Sequence, residues 1–493
     1  MSQAEQSSTV ETEKHQLRRG SLGVLAISFF VISAAAPLTA MAGGAPVAML
    51  LGNGAGIPAA YVVVSLLLLI FSVGYTAMAR HHTSTGAFYS YVTRGLRQPA
   101  GGAAAWIALL GYNAMQIGLY GLFGSAASGF LADQFGWDVP WWVCVLIAMA
   151  VIAVLGYRQV DLSVKVLSVL VLAEFIVVLI LDVAIAVKGG EGGGAPLTLE
   201  PFSWSAFASG SVAIALLFNT ASFVGFEATT IYSEEAKDPR RTVPRATYVA
   251  VLTIGLFYTV TTWLMVNAQG ADGLVDFLGG LKPDPTAFLF VLSDTYLGST
   301  LTTIMTLLFA TSVFAALLAF HNAVARYLFA LGREGLVPER LGRTHKVHLS
   351  PHAGSLSQTV LAVVIVAVFV ITDQDPVLAL FTWLTQLGTL AIITLMALAS
   401  FAVVAFFLRH PDLDSNRLRT FVAPVVGGVA TAAVAVYAAS QFGLLISKPG
   451  SALSWILPAL IVVAAVVGLV SAIVLKNKNP QLYEVMGRHR GDA

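Results

Sequence analysis

Charged side chains are scarce in this sequence. Asp, Glu, Lys and Arg make up 11% of its 493 residues, whereas hydrophobic residues make up 57%. Soluble globular domains contain about 25% charged residues, and so few charges do not cover the surface of a soluble protein of this size. The composition therefore excludes a soluble protein and predicts an integral membrane protein.

Cysteines and catalytic motifs are also nearly absent. The one cysteine, Cys144, excludes an intramolecular disulfide and most cysteine-based metal sites, and its apolar surroundings predict a small buried side chain. The formal net charge of +1 gives no reason to expect a nucleic-acid partner. Because there is no nucleophile elbow, P-loop or zinc motif, we expect neither an enzyme nor a cofactor or metal requirement. The polar start of the chain also does not resemble a cleavable signal peptide.

Long apolar runs are what the sequence contains instead. No charged residue occurs between Arg19 and Arg80. A single helix of that length would measure roughly 90 Å, about three times the hydrocarbon thickness of a bilayer. The stretch GNGAGIP at 52–58 is therefore expected to be a turn between two spans. The same reasoning predicts twelve membrane-spanning helices, near 22–50, 58–79, 101–132, 140–157, 162–187, 207–233, 245–268, 296–331, 355–372, 376–408, 420–444 and 453–475.

The basic residues test this topology. If both termini lie in the cytoplasm, 24 of the 27 Lys and Arg fall in tails, inner loops or inner helix ends, and only Lys188, Lys282 and Lys448 fall outside. This asymmetry is the one expected when cytoplasmic loops collect positive charge. It predicts a multi-pass protein of the plasma membrane with an even number of spans and both termini in the cytoplasm.

Two of the predicted spans are interrupted in a similar way. The first contains SAAAPLTAMAGG at 33–44, and the sixth contains NTASFVGFEATT at 219–230. Discontinuous helices at matching positions of two halves are typical of an inverted-repeat transporter, although a packing face of small residues is an alternative for either break alone. We therefore predict repeats of five helices at 21–188 and 205–408, two further helices at 419–475, and cytoplasmic tails at 1–20 and 476–493.

The chemistry of such breaks suggests a ligand. Unwinding a turn in the middle of a membrane frees backbone N–H and C=O groups, which is tolerable only where they line a polar cavity or meet a ligand. The start of the second half-helix offers amide donors suited to a carboxylate. The end of the first half-helix offers carbonyls suited to an ammonium group. A zwitterionic α-amino acid matches both.

Three stretches resemble the amino acid–polyamine–organocation transporter family: TGAFYSYVTRGL at 85–96, GFEATTIYSEEAKDPRRTVPRA at 225–246 and NAVARYLFALGREGLVPERL at 322–341. The resemblance implies an all-α, LeuT-like fold of two inverted five-helix repeats plus two C-terminal helices. It also implies that the substrates are amino acids or related amines, carried with protons or in exchange. Many members have a glycine-rich turn in helix 1, whereas this chain has SAAAPL, whose alanine Cβ atoms narrow the approach to the backbone.

The breaks supply the candidate substrate-binding residues. From helix 1 we expect backbone contacts by Ser33, Ala34, Ala35 and Ala36, and from helix 6 contacts by Ser222, Phe223, Val224 and Gly225. Gly225 fits an unwound turn because glycine adopts a positive φ at little cost. One of two aromatic side chains, Phe223 or Phe226, is a candidate gate over the substrate, with packing against lipid as the alternative.

Polar residues on two other helices are candidates for recognising the substrate side chain, although hydrogen bonds between helices explain each of them equally well. They are Asn113 and Gln116 on helix 3, and Thr385 and Gln386 on helix 10. On helix 3, small residues four apart are interpreted as a packing ridge only. They are Gly121, Ser125 and Gly129.

Three ionisable residues are candidates for proton coupling. Glu227 lies beside the second break, and a carboxylate within a membrane is a functional hypothesis by default, although it can also simply bind freed backbone. The resemblance implies that Lys165 on helix 5 takes the place of a sodium ion, and an ion pair with Asp161 four residues earlier is the alternative. Glu174 is expected to be either a second proton site or the partner of another helix.

The leading hypothesis is therefore a secondary transporter that imports amino acids by proton symport with alternating access. Sodium coupling through the hydroxyls of Thr311 and Ser312 is an alternative. An amine or polyamine carrier and an amino acid/amine exchanger are rivals within the same class. A channel or a nutrient-sensing receptor on the same fold is a rival of another class, which the short tails disfavour because they hold no signalling domain.

Overall fold

The computed structural model describes residues 22–81, 87–158, 164–231, 236–345 and 350–487. These residues form α-helices joined by short connections, with two isolated β-bridges and no strand among them. Numbered in chain order, the helices are α1 Val24–Ala34, α2 Ala45–Leu51, α3 Ile57–Ala79, α4 Ala87–Leu96, α5 Gln98–Phe135, α6 Trp141–Tyr157, α7 Val164–Lys188, α8 Trp204–Phe207, α9 Val212–Ala221, α10 Ala228–Ile231, α11 Pro239–Gln269, α12 Leu274–Gly280, α13 Phe288–Leu297, α14 Ser299–Arg333, α15 His352–Ile371, α16 Thr382–Arg409, α17 Ala423–Ser440, α18 Phe442–Leu445, α19 Leu453–Lys478 and α20 Pro480–Glu484. The prediction of an all-α membrane protein is confirmed.

Short segments of other helix types complete the architecture. Single turns of 3-10 helix lie at Gly54–Gly56, Glu200–Phe202, Pro285–Ala287 and Glu339–Gly342. Segments of π-helix lead into α2, α16 and α17, at Thr39–Gly44, Pro376–Phe381 and Leu418–Val422.

Eight helical stretches within the described residues are long and apolar enough to cross a membrane. These eight stretches lie in α3, α7, α11, α14 to α17 and α19, and each coincides with one of the predicted spans. The first, fourth and sixth predicted spans correspond to shorter apolar helices of 10 to 17 residues. Two of these three are the interrupted helices, and a half-helix falls short of the roughly 20 residues that span a bilayer. The count of twelve crossings stays a prediction.

The turn predicted at 52–58 is confirmed, and it ties the two interrupted helices together. A turn of 3-10 helix separates α2 from α3 there. Ser211, which caps α9, donates its backbone N–H to the Gly52 carbonyl at 2.9 Å. Asn53 donates its side-chain amide to the Phe207 carbonyl at 3.0 Å. The end of the first interrupted helix and the start of the second therefore lie side by side.

The two interrupted helices run antiparallel along their whole length. At one end α2 packs against α9, and at the other end α1 packs against α10. This pairing brings the two breaks to the same level of the bundle. Helix α11 packs against α1, α10 and the π-helical segment Thr39–Gly44, so it passes beside both breaks.

Helix α4 is an element that sequence analysis did not predict. It lies in the stretch 85–96 that resembles the family signature, and it packs against α5 and α16. Phe88, Tyr91 and Val92 are buried on its inner face. A search for long uncharged runs misses this helix because it is only 10 residues long and amphipathic.

The predicted packing ridge on α5 is only partly a contact surface. A Cβ atom on Gly121 would lie 2.1 Å from the carbonyl oxygen of Pro376, at the start of the π-helical segment before α16. Ser125 donates a hydrogen bond to Asp284 in the connection between α12 and α13. A Cβ atom on Gly129, by contrast, would meet no atom within 4 Å.

We therefore expect Gly121→Val to lower the free energy of unfolding by about 1–3 kcal/mol, because the added side chain forces α5 away from the π-helical segment Pro376–Phe381. The midpoint of thermal unfolding of the purified protein in detergent measures this. Gly129→Val is the matched control, with the same change in helix propensity and an expected effect of at most about 0.5 kcal/mol. Equal losses in the two variants would contradict the packing assignment.

Candidate functional site

The first break lies where sequence analysis placed it. Helix α1 ends at Ala34, and Ala36 adopts a φ of 43°, in the left-handed region. For a residue with a side chain this conformation costs roughly 1–2 kcal/mol. Ser33 and Ala34 form the last turn of α1, and their side chains lie outside the described residues.

Two side chains from other helices bind the backbone that this break frees. Tyr258 on α11 donates its hydroxyl to the Ala35 carbonyl at 3.2 Å. The carboxylate of Glu174 on α7 accepts the Leu38 N–H at 3.3 Å. The same carboxylate oxygen accepts the Ser312 hydroxyl at 2.9 Å. Glu174 thus has a partner on another helix, and its role as a second proton site stays a prediction.

The second break follows α9, which ends at Ala221. Gly225 adopts a φ of 111° in the turn that leads to α10, so the prediction of a positive φ at this glycine is confirmed. The carboxylate of Glu227 accepts the freed Gly225 N–H at 2.9 Å, and its other oxygen accepts the Tyr112 hydroxyl at 2.9 Å. Tyr61 on α3 and Ser222 share a hydroxyl–hydroxyl hydrogen bond of 2.9 Å.

The two breaks share one feature. In each, a buried carboxylate accepts a hydrogen bond from a backbone N–H group that the interrupted helix leaves free. Glu174 and Glu227 are each 2% exposed. Among the described residues, no Lys or Arg forms a salt bridge with either carboxylate. A carboxylate is a favourable ligand for these amides because N–H groups at the start of a half-helix carry partial positive charge. The arrangement concentrates two acidic groups where the two interrupted helices meet.

Buried tyrosines connect the two breaks, and sequence analysis did not single them out. Tyr258 bonds the first break and packs its ring 5.8 Å from Phe223 of the second. The rings of Tyr61 and Tyr258 lie 5.4 Å apart. A tyrosine within an apolar span is itself a signal, since its hydroxyl needs a partner when buried. The sequence does not indicate which partner that is.

The aromatic residues of the second break face the protein interior. Phe223 is fully buried and Phe226 is 2% exposed, so the alternative of packing against lipid is wrong. Phe226 packs edge-on against Phe71 at 5.9 Å. Val224 between them is buried as well. The role of either ring as a gate stays a prediction.

The polar candidates on the third and tenth predicted spans, which are α5 and α16 in the structure, form their hydrogen bonds away from the breaks. Asn113 donates to the Leu109 carbonyl of its own helix at 2.6 Å. Gln116 accepts the side-chain amide of Gln358 on α15 at 2.6 Å. On α16, Thr385 donates to the carbonyl of Phe381, the last residue of the preceding π-helical segment, and Gln386 donates to Thr385. Their recognition of a substrate side chain stays a prediction.

The remaining candidates concern cation binding. Lys165 is the second residue of α7, but its side chain lies outside the described residues, as does all of Asp161. Ser312 also shares a 2.8 Å hydrogen bond with Thr39. Thr311 donates to the Leu308 carbonyl of its own helix. No group of three or more His, Cys, Asp or Glu within the described ranges is arranged to hold a metal ion.

Comparison with known proteins adds a family-level likeness. The sequence model of the family described as amino acid permease matches residues 22–480. A low-affinity putrescine importer of Escherichia coli K12 is 25% identical over 57% of this chain and 60% of its own length. A branched-chain amino acid permease of Bacillus subtilis is 24% identical over 78% of this chain and 82% of its own length. An L-asparagine permease of Salmonella typhimurium is 25% identical over 66% of each. The match to the putrescine importer thus spans less than two thirds of that protein.

The geometry of the second break predicts opposite effects for two glycines. Gly225→Ala should lower the free energy of unfolding by about 1–3 kcal/mol, because alanine strongly disfavours the positive φ of that turn. Gly44→Ala is the control beside the first break. Its φ is −78°, and the nearest atom to the added Cβ would be Ser222 Oγ at 4.0 Å. We expect this variant to match or exceed wild-type stability. Thermal unfolding in detergent compares the two, and equal stability would argue against a strained turn at Gly225.

Proposed function

The chain belongs to the amino acid permease family, and on that basis we propose that it imports an amino acid across the plasma membrane by proton symport. The observation that carries the proposal is the pair of buried carboxylates, Glu174 and Glu227, each bound to a backbone amide at a helix break. The backbone amides at the breaks can bind the carboxylate of a substrate, and the two glutamate carboxylates can bind a proton.

Binding of the substrate and binding of the proton are linked, because the substrate carboxylate and the glutamates compete for the same backbone amides. A substrate carboxylate that binds the Leu38 amide competes with Glu174 for that donor, and one that binds the Gly225 amide competes with Glu227. An ionised carboxylate forms a charge-assisted hydrogen bond, which is roughly twice as strong as a neutral one. A proton on Glu227 therefore weakens its hold on the Gly225 amide and removes the repulsion between two anions. Binding of the proton then favours binding of the substrate, and by linkage the reverse holds equally.

The other proposed ligands come from the same two turns. The carbonyls at the ends of α1 and α9 bind the substrate ammonium group, since those ends carry partial negative charge. The backbone of Ser33, Ala34, Ala35 and Ala36 provides one side of the site and that of Ser222, Phe223, Val224 and Gly225 the other. Phe223 and Phe226 close over the substrate, while Asn113, Gln116, Thr385 and Gln386 contact its side chain. The alanine side chains at 35 and 36 favour a small substrate.

Proton coupling is shared among three groups in this proposal. Glu227 is the group in direct competition with the substrate. Glu174 does the same at the first break, and its bond to Ser312 on α14 makes its protonation sensitive to the position of that helix. Lys165 provides the positive charge that makes sodium unnecessary. Rocking of the two proposed five-helix repeats around the breaks then exposes the site alternately to each side.

Glu227→Gln should abolish transport driven by a proton gradient. Glutamine still bonds the Gly225 amide but neither takes up nor releases a proton. In sodium-free proteoliposomes, a symporter that carries one proton accumulates substrate up to about tenfold per pH unit of gradient, since one unit is worth about 1.4 kcal/mol. We expect no accumulation by the variant, while exchange of labelled for unlabelled substrate at equal pH continues.

Glu200→Gln is the matched control, because Glu200 is an exposed acid in the connection before α8. Accumulation by Glu227→Gln at the wild-type level would refute the role of Glu227. A wild-type protein that ignores the pH gradient but requires internal substrate would be an exchanger rather than a symporter.

A second candidate function is import of an amine or polyamine. Two buried carboxylates at the breaks, with no Lys or Arg in a salt bridge with them among the described residues, are also suited to a cationic ligand. One of the relatives compared above is named a putrescine importer.

Competition distinguishes the two functions. If the substrate is a zwitterion, excess neutral amino acids should suppress uptake of labelled alanine while excess putrescine leaves it unchanged. If it is an amine, labelled putrescine is taken up and unlabelled putrescine suppresses it, whereas labelled alanine is not taken up at all. Suppression of alanine uptake by both compounds would favour an amino acid/amine exchanger.

A further inference from the structure

Asp182 is a third carboxylate in the apolar part of the bundle, and the proposed transport cycle gives it no role. It lies in α7, eight residues after Glu174 and six before the helix ends at Lys188. At 1.5 Å per residue, it is about 12 Å from Glu174 along the helix and about 9 Å from the end. Asp182 is only 5% exposed, so it lies within the protein between Glu174 and the predicted outer side.

Among the residues that the structure describes, the carboxylate of Asp182 has one hydrogen-bond partner, and that partner is uncharged. The hydroxyl of Thr261 on α11, itself fully buried, donates to Oδ2 at 2.7 Å. Oδ1 is buried and has no hydrogen-bond partner among the described residues. In the part of the chain that the structure describes, Asp182 forms no salt bridge.

The helices packed against α7 provide no cation for Asp182. Lys188, one and a half turns further along α7, donates its ammonium group to the Tyr296 carbonyl at 2.6 Å. Helix α1 has no titratable residue. Besides Asp182, the titratable groups on α7 and on the packed helices α11, α13 and α14 are Lys165, Glu174, Lys188, Arg240, Arg241, Arg245, Tyr248, Tyr258, Asp294, Tyr296, His321, Arg326, Tyr327 and Arg333. The arginines among them lie at the opposite, predicted cytoplasmic ends of α11 and α14. Lys165 lies at the start of α7, at the far end of the helix from Lys188.

An ionised carboxylate in this setting is strongly disfavoured, since it has lost its hydration and gained one neutral hydrogen bond. A bound proton removes that penalty. A metal cation does so less well, because hard cations in proteins take about six oxygen ligands and this site offers two residues. The geometry therefore favours a proton at Oδ1.

Polar groups connect Asp182 to the first break along the seam between α7 and α11. Thr261 and Tyr258 lie three residues apart on one face of α11. Tyr258 bonds the Ala35 carbonyl, and Glu174, two turns before Asp182 on α7, bonds the Leu38 amide. On α11, Thr261 lies at Asp182 and Tyr258 lies at the first break. On α7, Asp182 itself and Glu174 occupy the same two levels.

We propose that Asp182 is a proton-relay site between the predicted outer side and Glu174, an inference that rests on the proposed proton symport. Asp182 takes a proton from external water onto Oδ1. It then passes that proton through intervening water to the carboxylate of Glu174, which becomes the neutral acid while Asp182 is left as the anion. A further proton from outside restores Asp182. Asp182 acts here through Glu174 and is a positioning and relay residue that does not touch the substrate.

Asp182→Asn tests the relay, because asparagine keeps an oxygen acceptor for Thr261 and carries no exchangeable acid proton. Two measurements are made on the full-length protein. Infrared difference spectra between acidic and alkaline buffer report protonated carboxyl groups without any transport. Proteoliposomes report accumulation under a pH gradient, and counterflow of labelled alanine at equal pH. Asp294→Asn, which removes an exposed acid on α13, is the control.

We expect Asp182→Asn to lose one component of the protonated-carboxyl signal and to show no accumulation, where a one-proton symporter reaches up to about tenfold per pH unit. Counterflow should continue near the wild-type rate, and Asp182→Glu should restore accumulation. Wild-type accumulation by Asp182→Asn, an unchanged infrared signal, or loss of counterflow in folded protein would each overturn the relay. Failure of the wild-type protein to accumulate would instead refute proton symport, and the infrared result would still decide whether Asp182 holds a proton.

Discussion

The structure depends on one constraint: backbone hydrogen-bonding groups within a membrane need partners, and an interrupted helix leaves several without one. Two carboxylates meet this need here, Glu174 at the Leu38 amide and Glu227 at the Gly225 amide. Tyr258 meets it for the Ala35 carbonyl. Because α1 and α2 run antiparallel to α10 and α9, both breaks reach the same level. The partners of the first break come from α7 and α11, whereas Glu227 belongs to the second break itself and is held by Tyr112 of α5.

The same constraint places carboxylates, which can bind a proton, at both breaks. A helix without interruptions satisfies its own backbone and offers nothing to a ligand, whereas these two breaks hold amides that a proton-sensitive group occupies. The occupant at each break is a side chain whose hydrogen-bonding strength changes on protonation. In the proposed transport cycle, a substrate carboxylate replaces the glutamate at a break with little new structure, since the amides are already positioned. The acidic character of the region is compatible with both proposed substrate classes, amino acids and amines, because both contain an ammonium group.

Much of the site was predictable from the residues themselves, and the reason is local. Gly225 adopts the positive φ expected of glycine in an unwound turn, and the break at 33–36 appears where small residues precede Pro37. Glu227 is only two residues from Gly225, so its bond to that amide follows from short-range geometry. Glu174 is 136 residues from Leu38, and a sequence does not indicate which of several helices a buried carboxylate will face. The pairing of Gln116 with Gln358, 242 residues away, was beyond prediction for the same reason.

The sequence by itself determined the membrane class, the helical fold, the turn at 52–58 and the two interrupted helices. These follow from hydrophobic length and from the local preferences of glycine, alanine and proline, which act within one or two helical turns. Only the tertiary structure decided which side chains bind the freed backbone and that Phe223 and Phe226 face inward. It also decided that Asp182 lies beside Thr261, with one oxygen unpaired among the described residues. These depend on which faces of distant helices meet, and that is set by packing of the whole bundle.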